Sequence, residues 1–408
     1  MTIIKEEIKK LNEGTVVTPA GFKVSGIHSG VKRKRNDLGI LLCDVPANAA
    51  ALYTTNAIQA APLKVTKESI AKEGKLQAVV INSGNANACT GKKGEQDAYT
   101  MRQKVADTFS ILEHHVAVAS TGVIGVEMPM DKIAPSINSL QPNNRLTDVQ
   151  AFNQSIQTTD TMNKSTCYEA TIGGKKVRVA GSAKGSGMIE PNMATMLAFI
   201  TTDAVVESDA LHQALQQVTD QTFNSITVDG DTSTNDMVLA MASGHAGHET
   251  LTPNDKDWSI FIELLQKTCE DLAKMIAQDG EGATTLIEVE VNHAKTSQEA
   301  IQIAKSIVGS SLVKTAVFGA DANWGRILAA IGYSGASVNP DTIDIFMGDI
   351  QLVKNSRPIE YEEKEVFEYL RNDFVKIIID LHIGDGFGKA WGCDLTYDYV
   401  QINASYRT

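Results

Sequence analysis

The stretch KGSGMIEPNMATMLAFITTDA, residues 184–204, joins a glycine-rich turn to an apolar segment. Its Pro-Asn pair is typical of a turn, and the β-branched and aromatic residues that follow predict a strand over residues 196–201. Ala194 and Thr195 lie at the start of that strand. A threonine hydroxyl needs a base to act as a nucleophile, and a threonine that becomes a chain N-terminus carries one in its own α-amine. For a threonine in the middle of a chain, the residues alone still favour an ordinary strand residue.

The glycines of this stretch do not have the spacing of a phosphate-binding loop. In a P-loop the lysine follows the glycines, whereas Lys184 precedes them, and a GxGxxG run before a helix is absent. The chain also shows no persuasive Ser–His–Asp or Cys–His pattern. An N-terminal amine, with a pKa near 8, would supply a base without a histidine.

Strand and helix patterns alternate along the rest of the chain, which predicts an α/β protein with some antiparallel sheet. β-branched runs punctuated by Gly or Asp predict strands at residues 77–81, 115–119, 176–180, 196–201, 225–228, 286–291, 312–318, 342–347, 375–381 and 394–403. Helical periodicity predicts helices at residues 95–112, 147–158, 208–223, 255–276, 296–307 and 362–371. Ser208 is the predicted N-cap of the third helix.

Length and composition predict a soluble globular protein of two or three domains or lobes. The chain has 408 residues, of which 43% are hydrophobic and 21% charged. A net charge of −12 disfavours non-specific binding to nucleic acid or an anionic membrane, and KRKR at residues 32–35 is read as a solvated loop. No stretch is apolar enough for a membrane span or a signal peptide, so we expect a cytoplasmic protein.

The cysteines and histidines predict no metal site. The five cysteines are scattered without a CxxC pair, and the eight histidines have no metal-ligand spacing, including the adjacent His114 and His115. We therefore expect five buried free thiols and no metal.

Polar turns at the predicted strand ends hold most of the remaining candidates for chemistry. These turns are residues 82–87, 120–125, 184–191, 229–236, 279–282 and 318–325. Any one of them is typical of a tight turn. Together they predict a site lined by backbone N–H groups and small hydroxyl side chains.

Residues 184–204 resemble the cleavage and nucleophile segment of the ornithine acetyltransferase family, the glutamate N-acetyltransferases of arginine biosynthesis. The resemblance covers essentially the whole chain. Further stretches match the family in the same order: VINSGNANACTG (80–91), ASTGVIG (119–125), VDGDTSTND (228–236), GEGATTLIEV (280–289), FGADANWGRILAAIGYSG (318–335) and INASYRT (402–408).

The resemblance implies a role for particular residues of this chain. Thr195 would be the nucleophile, and cleavage between Ala194 and Thr195 would give an α chain, residues 1–194, and a β chain, residues 195–408. Thr121 and Gly122 match the oxyanion-stabilising pair. The positions that match the family's substrate contacts are Thr158, Lys184, Thr195, Glu281, Asn403 and Thr408.

The resemblance also implies a fold, an assembly and a reaction. The fold is a two-lobed α/β structure with α-β-β-α layers, which resembles N-terminal nucleophile hydrolases in chemistry but not in topology. The assembly is an α2β2 heterotetramer. The reaction moves acetyl from acetylornithine to glutamate without a bound cofactor. Whether acetyl-CoA serves as a further co-substrate stays open.

Two other functions are compatible with the residues themselves. An N-terminal threonine also serves an autoprocessed amidohydrolase or aminopeptidase, in which water releases the acyl group. A non-catalytic ligand-binding protein with a Gly- and Asn-rich cleft would show neither a chain break nor an acetyl-enzyme.

Overall fold

The computed structural model describes residues 8–190 and 196–405, which form two lobes around two sheets. The strands of the first lobe are β1 (Lys9–Lys10), β2 (Phe22–Ile27), β3 (Leu38–Tyr53), β4 (Lys75–Asn85), β5 (Val116–Val123), β6 (Lys164–Ile172), β7 (Lys175–Lys184), β8 (Leu197–Thr202) and β9 (Met237–Ala242). Its helices are α1 (Ala61–Glu73), α2 (Gly91–Phe109), α3 (Met130–Ile137), α4 (Leu146–Ile156), α5 (Ser208–Gln221) and α6 (Trp258–Gln278).

The first sheet bends at its long strand β3. The strand order is β1-β6-β7-β8-β9-β3-β4-β5, with β2 also paired to β3. The register of β3 against β4 shifts between Leu42 and Ala47. The part of β3 before the shift pairs with β2 and β4, and the part after it pairs with β9 while Ala47 and Asn48 still pair with β4. Such a shift bends a strand and increases its twist, so the two parts of the sheet can pack against each other.

Alternating side chains show that the bent sheet encloses a central core. In β8, Phe199 points into the core that also contains Ile81 of β4, whereas the next residue, Ile200, points into a second core with α5 and α6. In β4, Val80 points away from Ile81 into a third core with α2 and α3. Because strand side chains alternate between faces, the layers run helix, sheet, sheet, helix. The predicted α-β-β-α layering is confirmed.

The second lobe follows α6 and has its own sheet and core. Its strands are β10 (Leu286–Ala294), β11 (Asp344–Met347), β12 (Ile350–Lys354), β13 (Arg357–Pro358), β14 (Phe374–Asp380) and β15 (Gly386–Cys393), in the order β13-β12-β11-β14-β10-β15. Its helices are α7 (Ser297–Gly309), α8 (Ser311–Phe318), α9 (Trp324–Gly332), α10 (Glu363–Leu370) and α11 (Tyr397–Ser405). Trp391 and Cys393 of β15 pack into the α5 and α6 core, which joins the lobes.

The structure corrects three of the predicted strands. Residues 312–318 lie in helix α8, where the Ser310 hydroxyl caps the Val313 N–H, and most of residues 394–403 lie in α11. Ser225 ends a short 3-10 helix, Phe223–Ser225, and within residues 225–228 only Ile226 makes an isolated bridge. In such short segments the local pattern does not distinguish a strand from a helix or a turn.

Three smaller predictions are also wrong. Ser208 does not cap α5, because its hydroxyl donates to the Gly74 carbonyl, 2.5 Å away. Cys89 is exposed, while the other four cysteines are buried free thiols. Lys32 of the basic run is not fully solvated, since its Nζ donates to the Gln157 carbonyl at 2.6 Å.

In the described part of the chain, no helix is both long and apolar enough to span a membrane.

Candidate active site

A cleft of about 240 Å³ opens where the two parts of the first sheet meet the last helix of the chain. The cleft brings together six of the predicted site residues: Thr121, Gly122, Thr158, Lys184, Glu281 and Asn403. Ala194, Thr195 and Thr408 lie outside the described residues. Met196, the residue that follows Thr195, lines the cleft.

Lys184 places a largely buried cation in the cleft. It is the last residue of β7 and only 7% exposed. Its Nζ donates to Thr158 Oγ1 at 2.9 Å and lies 3.5 Å from Thr121 Oγ1. The nearest carboxylate oxygen among the described residues, on Asp160, is 3.9 Å away. This cation is therefore held by hydroxyl groups and has only a long ion pair, which leaves it able to bind an anionic ligand.

A buried ion network lies behind Lys184. The Asp160 carboxylate accepts the Gly185 N–H at 2.7 Å and the Lys164 Nζ at 2.8 Å, and Lys164 also contacts the Asp279 carboxylate. Burial alone would raise the pKa of Asp160, but Lys184, Lys164 and these hydrogen bonds hold it well below its usual range. Sequence reasoning missed this network because the burial of Asp160 and Lys164, and their meeting with the distant Asp279, cannot be read from residue order.

Thr121 and Gly122 lie at the end of β5, where its pairing with β4 is irregular. The register shifts between Gly84 and Asn85. Gly122 has a φ of 131°, and a Cβ at this position would lie 2.4 Å from the Gly84 carbonyl carbon. Only glycine allows this conformation and this close approach. A strand end with a register shift is a place where a protein can re-aim N–H groups toward a ligand.

Glu281 and Asn403 come together from opposite ends of the second lobe. The Asn403 Nδ2 donates to Glu281 Oε2 at 2.8 Å, and the Glu281 N–H donates to the Ser186 carbonyl at 3.0 Å. A Cβ at position 187 would lie 2.4 Å from the Glu281 carboxyl carbon, so Gly187 provides the room for that carboxylate. Asn403 of helix α11 thus helps to orient the acidic side chain of Glu281 in the wall of the cleft.

The loop of residues 229–236 fixes the backbone that leads to the predicted cleavage site. The Asp229 carboxylate accepts the N–H groups of Met188 and Ile189 at 2.7 and 2.8 Å. The Thr232 hydroxyl donates to the Glu190 carbonyl at 2.8 Å. The sequence predicted a polar turn here but not this contact with residues 188–190.

The end of the same loop supports the opposite wall of the cleft. The Asn235 Nδ2 donates to the carbonyls of Ala86 and Ser120 at 2.6 and 2.8 Å. Asp236 lines the cleft at 3% exposure, and burial raises its pKa well above the usual range. Sequence reasoning assigned no role to Asp236 or to Tyr399, which also lines the cleft.

Two of the polar motifs have other roles. The asparagines of residues 82–87 bind nearby backbone: Asn82 Nδ2 donates to the Asn85 carbonyl and Asn87 Nδ2 to the Gly94 carbonyl. The motif of residues 318–325 lies in the second lobe, between α8 and α9, and does not line the cleft.

The fold also brings histidines to carboxylates outside the cleft. His114 and His115 lie 3.0 Å from the two oxygens of Glu73. In the second lobe, Asp380 lies 2.8 Å from His293 and 3.3 Å from His382. Sequence spacing could not show these groups, since Glu73 and His293 are each distant in the chain from their partners. All of these distances are those of hydrogen bonds or ion pairs.

The model of the ArgJ family matches residues 23–408. The chain belongs to the ArgJ family. It is 61% identical, over the whole of both chains, to the ArgJ relatives of Geobacillus kaustophilus and Halalkalibacterium halodurans, which are named arginine biosynthesis bifunctional proteins. The predicted family, and with it an enzyme of arginine biosynthesis, is confirmed.

Two crystal structures are similar to parts of this ArgJ chain. The arginine biosynthesis bifunctional protein argJ of Bacillus halodurans shares 63% identity at a TM-score of 0.50, over 51% of this chain and 98% of that chain. Ornithine acetyltransferase of Mycobacterium tuberculosis, solved with ornithine, shares 33% identity at a TM-score of 0.43, over 46% of this chain and 100% of that chain.

Proposed function

We propose that this chain is an autoprocessed acetyltransferase that moves acetyl from N2-acetyl-L-ornithine to L-glutamate through an ester on Thr195. The products are L-ornithine and N-acetyl-L-glutamate. The observation that carries the proposal is the meeting of Thr121, Gly122, Lys184 and Glu281 in one cleft beside Met196. These residues are far apart in the sequence and supply the groups that acyl transfer between two amino acids requires.

Self-cleavage prepares the enzyme. The Thr195 Oγ attacks the Ala194 carbonyl, the acyl group shifts from nitrogen to oxygen, and water opens the ester to free the α-amine. The contacts of Asp229 with Met188 and Ile189 support this step, because they fix the backbone just before the segment that must react. The similarity covers 98% of the Bacillus halodurans chain but only 51% of this chain. That chain therefore has about the length expected of one cleavage product.

Acetyl transfer then follows a ping-pong cycle. The Thr195 amine takes the proton from Oγ, and Oγ attacks the acetyl carbonyl of acetylornithine. The Thr121 hydroxyl and the Gly122 N–H stabilise the oxyanion, and one such donor is typically worth about 2.7–4 kcal/mol. The ammonium returns the proton to the leaving ornithine nitrogen. The amine of glutamate attacks the acetyl ester next, and its proton passes back to the Thr195 oxygen through the same amine.

Charges in the cleft account for the choice of substrate. Lys184 pairs with the α-carboxylate that ornithine and glutamate share, because it is a buried cation with only a long ion pair. Glu281, oriented by Asn403, faces the side-chain ammonium of ornithine. Thr408 is proposed as a further substrate contact on the family motif alone. Deletion of Thr408 is expected to raise KM for acetylornithine, and an unchanged KM would remove it from the site.

A second activity, synthesis of N-acetylglutamate from acetyl-CoA, is proposed on a different observation. The relatives at 61% identity are named bifunctional. The same acetyl-Thr195 ester can be formed from a thioester donor: Thr195 Oγ attacks the thioester carbonyl, and the thiol leaves with the proton that the Thr195 amine took from Oγ. Formation of N-acetylglutamate from acetyl-CoA and glutamate, without acetylornithine, tests it.

We further propose an α2β2 assembly, which native mass measurement tests, and a cytoplasmic location, which cell fractionation tests.

Intact mass measurement tests the main proposal. Denatured wild-type protein is expected to give two fragments, the second beginning at Thr195, while Thr195→Ala gives one uncut chain. Brief exposure to acetylornithine should add one acetyl group to the second fragment. A single uncut wild-type chain would refute the mechanism. Rapid release of ornithine without glutamate would instead support the amidohydrolase.

A further inference from the structure

The loop of residues 28–37, which joins β2 to β3, carries three cations that the steps above leave without a role. Arg33, Lys34 and Arg35 are exposed, and none of them has an ion pair in the part of the chain that the structure describes. The chain as a whole has a net charge of −12, so this collection of positive charge is a local exception. Like charges held together repel one another, and a bound anion relieves that repulsion.

The buried carboxylate of Asp37 fixes the backbone of the loop before any ligand arrives. It accepts the Ser29 N–H at 2.6 Å, the Gly30 N–H at 3.1 Å and the Lys32 N–H at 2.8 Å. The Lys132 Nζ of α3 donates to the Gly30 carbonyl at 3.0 Å, which holds a further cation against the loop. A loop with a preset shape loses less conformational freedom when it binds a ligand.

Lys32 ties the loop to the wall of the cleft. Its Nζ donates to the Gln157 carbonyl at 2.6 Å, and the next residue, Thr158, accepts a hydrogen bond from the cleft cation Lys184. Burial, partly offset by Asp37, lowers the pKa of Lys32 to about 8, and the field of Lys184 contributes to the shift. The charges of the loop and of the cleft are therefore close enough to interact.

A second contact joins the loop to the end of β5. A Cβ at Gly84 would lie 3.1 Å from the Lys32 Cγ, and a Cβ at Gly122 would lie 2.4 Å from the Gly84 carbonyl carbon. An extended chain spans at most about 3.6 Å per residue, so Arg35 lies within roughly 11 Å of Lys32. No residue of the loop lines the cleft itself. The exposed cations thus lie beside the cleft and outside it.

We propose that the loop of residues 28–37 binds the phosphates of acetyl-CoA while the thioester of that donor lies in the cleft. This role rests on the proposed use of acetyl-CoA as an acetyl donor. In coenzyme A a flexible pantetheine arm separates the sulfur from an adenosine that carries three phosphates. Arginine binds phosphate through two parallel N–H groups, and lysine binds it as a point charge. Acetylornithine has no phosphate, so the loop serves only one of the two donors.

The test removes the three exposed cations of the loop from full-length, self-cleaved protein. The loop variant is Arg33→Gln, Lys34→Gln and Arg35→Gln. A control variant loses the same charge from three exposed residues of the second lobe that do not line the cleft. The control variant is Lys354→Gln, Arg357→Gln and Lys364→Gln.

Three acetyl donors are compared with glutamate as the acceptor. Steady-state kinetics give kcat and KM for acetylornithine, for acetyl-CoA and for acetyl-pantetheine, which has the thioester but no phosphate. Calorimetry with CoA gives Kd without turnover. Intact mass and urea unfolding record cleavage and folding. Transfer from acetylornithine by the wild type checks the main proposed function separately.

The loop variant is expected to fold and cleave, because the three side chains are exposed. Its KM for acetyl-CoA and its Kd for CoA should each rise about 10- to 100-fold, the range for lost charged hydrogen bonds. Its KM for acetylornithine and for acetyl-pantetheine should stay within about twofold of wild type, since solvent and salt screen charges outside the cleft. The control variant should match wild type throughout. In the wild type, added NaCl should raise KM for acetyl-CoA more than KM for acetylornithine.

An unchanged Kd for CoA in the loop variant would overturn the inference, even where the wild type makes N-acetylglutamate from acetyl-CoA and the second activity stands. An equal rise in KM for acetylornithine would mean that the loop steers amino acids. A rise shared with acetyl-pantetheine would place the cations at the thioester. A wild type that transfers acetyl from acetylornithine but does not bind CoA would remove both the second activity and this site. If the loop variant does not fold, an equal effect of NaCl on the two KM values of the wild type would decide against the site.

Discussion

Replacement of Gly122 by alanine separates a catalytic effect of the β5 end from a structural one. The new Cβ would lie 2.4, 2.6 and 2.7 Å from three backbone atoms of Gly84 and Asn85, which cannot give way as a flexible side chain would. The φ of 131° adds strain, for which about 1–2 kcal/mol is typical of a left-handed L-residue. The backbone from Thr121 to Gly122 must therefore shift and misplace the two proposed oxyanion donors.

The expected loss of rate follows from the chemistry of the donor. Misplacing one oxyanion donor costs about 2.7–4 kcal/mol of transition-state stabilisation, or roughly 100- to 1,000-fold in kcat. Gly125→Ala is the matched control. Gly125 has a φ of 77° and nothing within 4 Å of the added Cβ, so it carries the strain without the collision. We expect Gly125→Ala to lose stability while its kcat stays within about threefold of wild type.

The assay is ornithine release from acetylornithine in the presence of glutamate, with urea unfolding and intact mass on the same samples. Rates are compared per folded, cleaved molecule, so that losses of stability and of processing do not count as losses of catalysis. A Gly122→Ala enzyme within tenfold of Gly125→Ala would refute the reasoning. Either the donors would not depend on this close approach, or Gly122 would not be a donor.

Three further predictions concern the groups around Lys184. Lys184→Met should raise KM for acetylornithine about 10- to 100-fold, the range for a lost charged hydrogen bond, with steady-state kinetics as the measurement and an unchanged KM as the contradicting result. Asp160 has a depressed pKa, so its stabilising effect is present above the unfolded value near 4 and is lost as pH falls toward the folded value. Urea unfolding should show wild type losing stability below about pH 4 more steeply than Asp160→Asn, and parallel curves would argue against a carboxylate held by lysines. Asp229→Asn weakens the two hydrogen bonds from the N–H groups of Met188 and Ile189. Self-cleavage, measured by intact mass over time, should therefore slow, while kcat of the cleaved enzyme changes little. Equal effects on cleavage and on kcat would contradict a role in cleavage.

Much of the fold follows from local pattern. All six predicted helices are present within a few residues of their predicted bounds, because an amphipathic period of 3.6 is a property of the segment itself. The strands predicted at residues 312–318 and 394–403 are wrong, because the local pattern of each segment does not identify its secondary structure. Residues 312–318 are a short apolar run whose period fits either state, and residues 394–403 alternate apolar with polar side chains as a strand would, yet the structure has helix at both.

Some residues of the cleft were predicted from the sequence, and others were revealed only by the structure. Thr121, Lys184 and Glu281 were predicted from motifs, since motif matching requires only the order of residue types along the chain. Asp236 was not, because its isolated carboxyl group looks like an ordinary turn acid until its burial is known. The network of Asp160 and Lys164 was missed for the same reason.

The sequence by itself determined the family, the α/β class and the types of residue available for catalysis. These properties depend on residue order and on local periodicity, both of which can be read without coordinates. Only the tertiary structure decided which side chains share a cleft, which carboxyl groups are desolvated and which glycines touch backbone. Desolvation and close approach depend on what packs from distant parts of the chain, such as α11 over Glu281, and no local pattern encodes that packing.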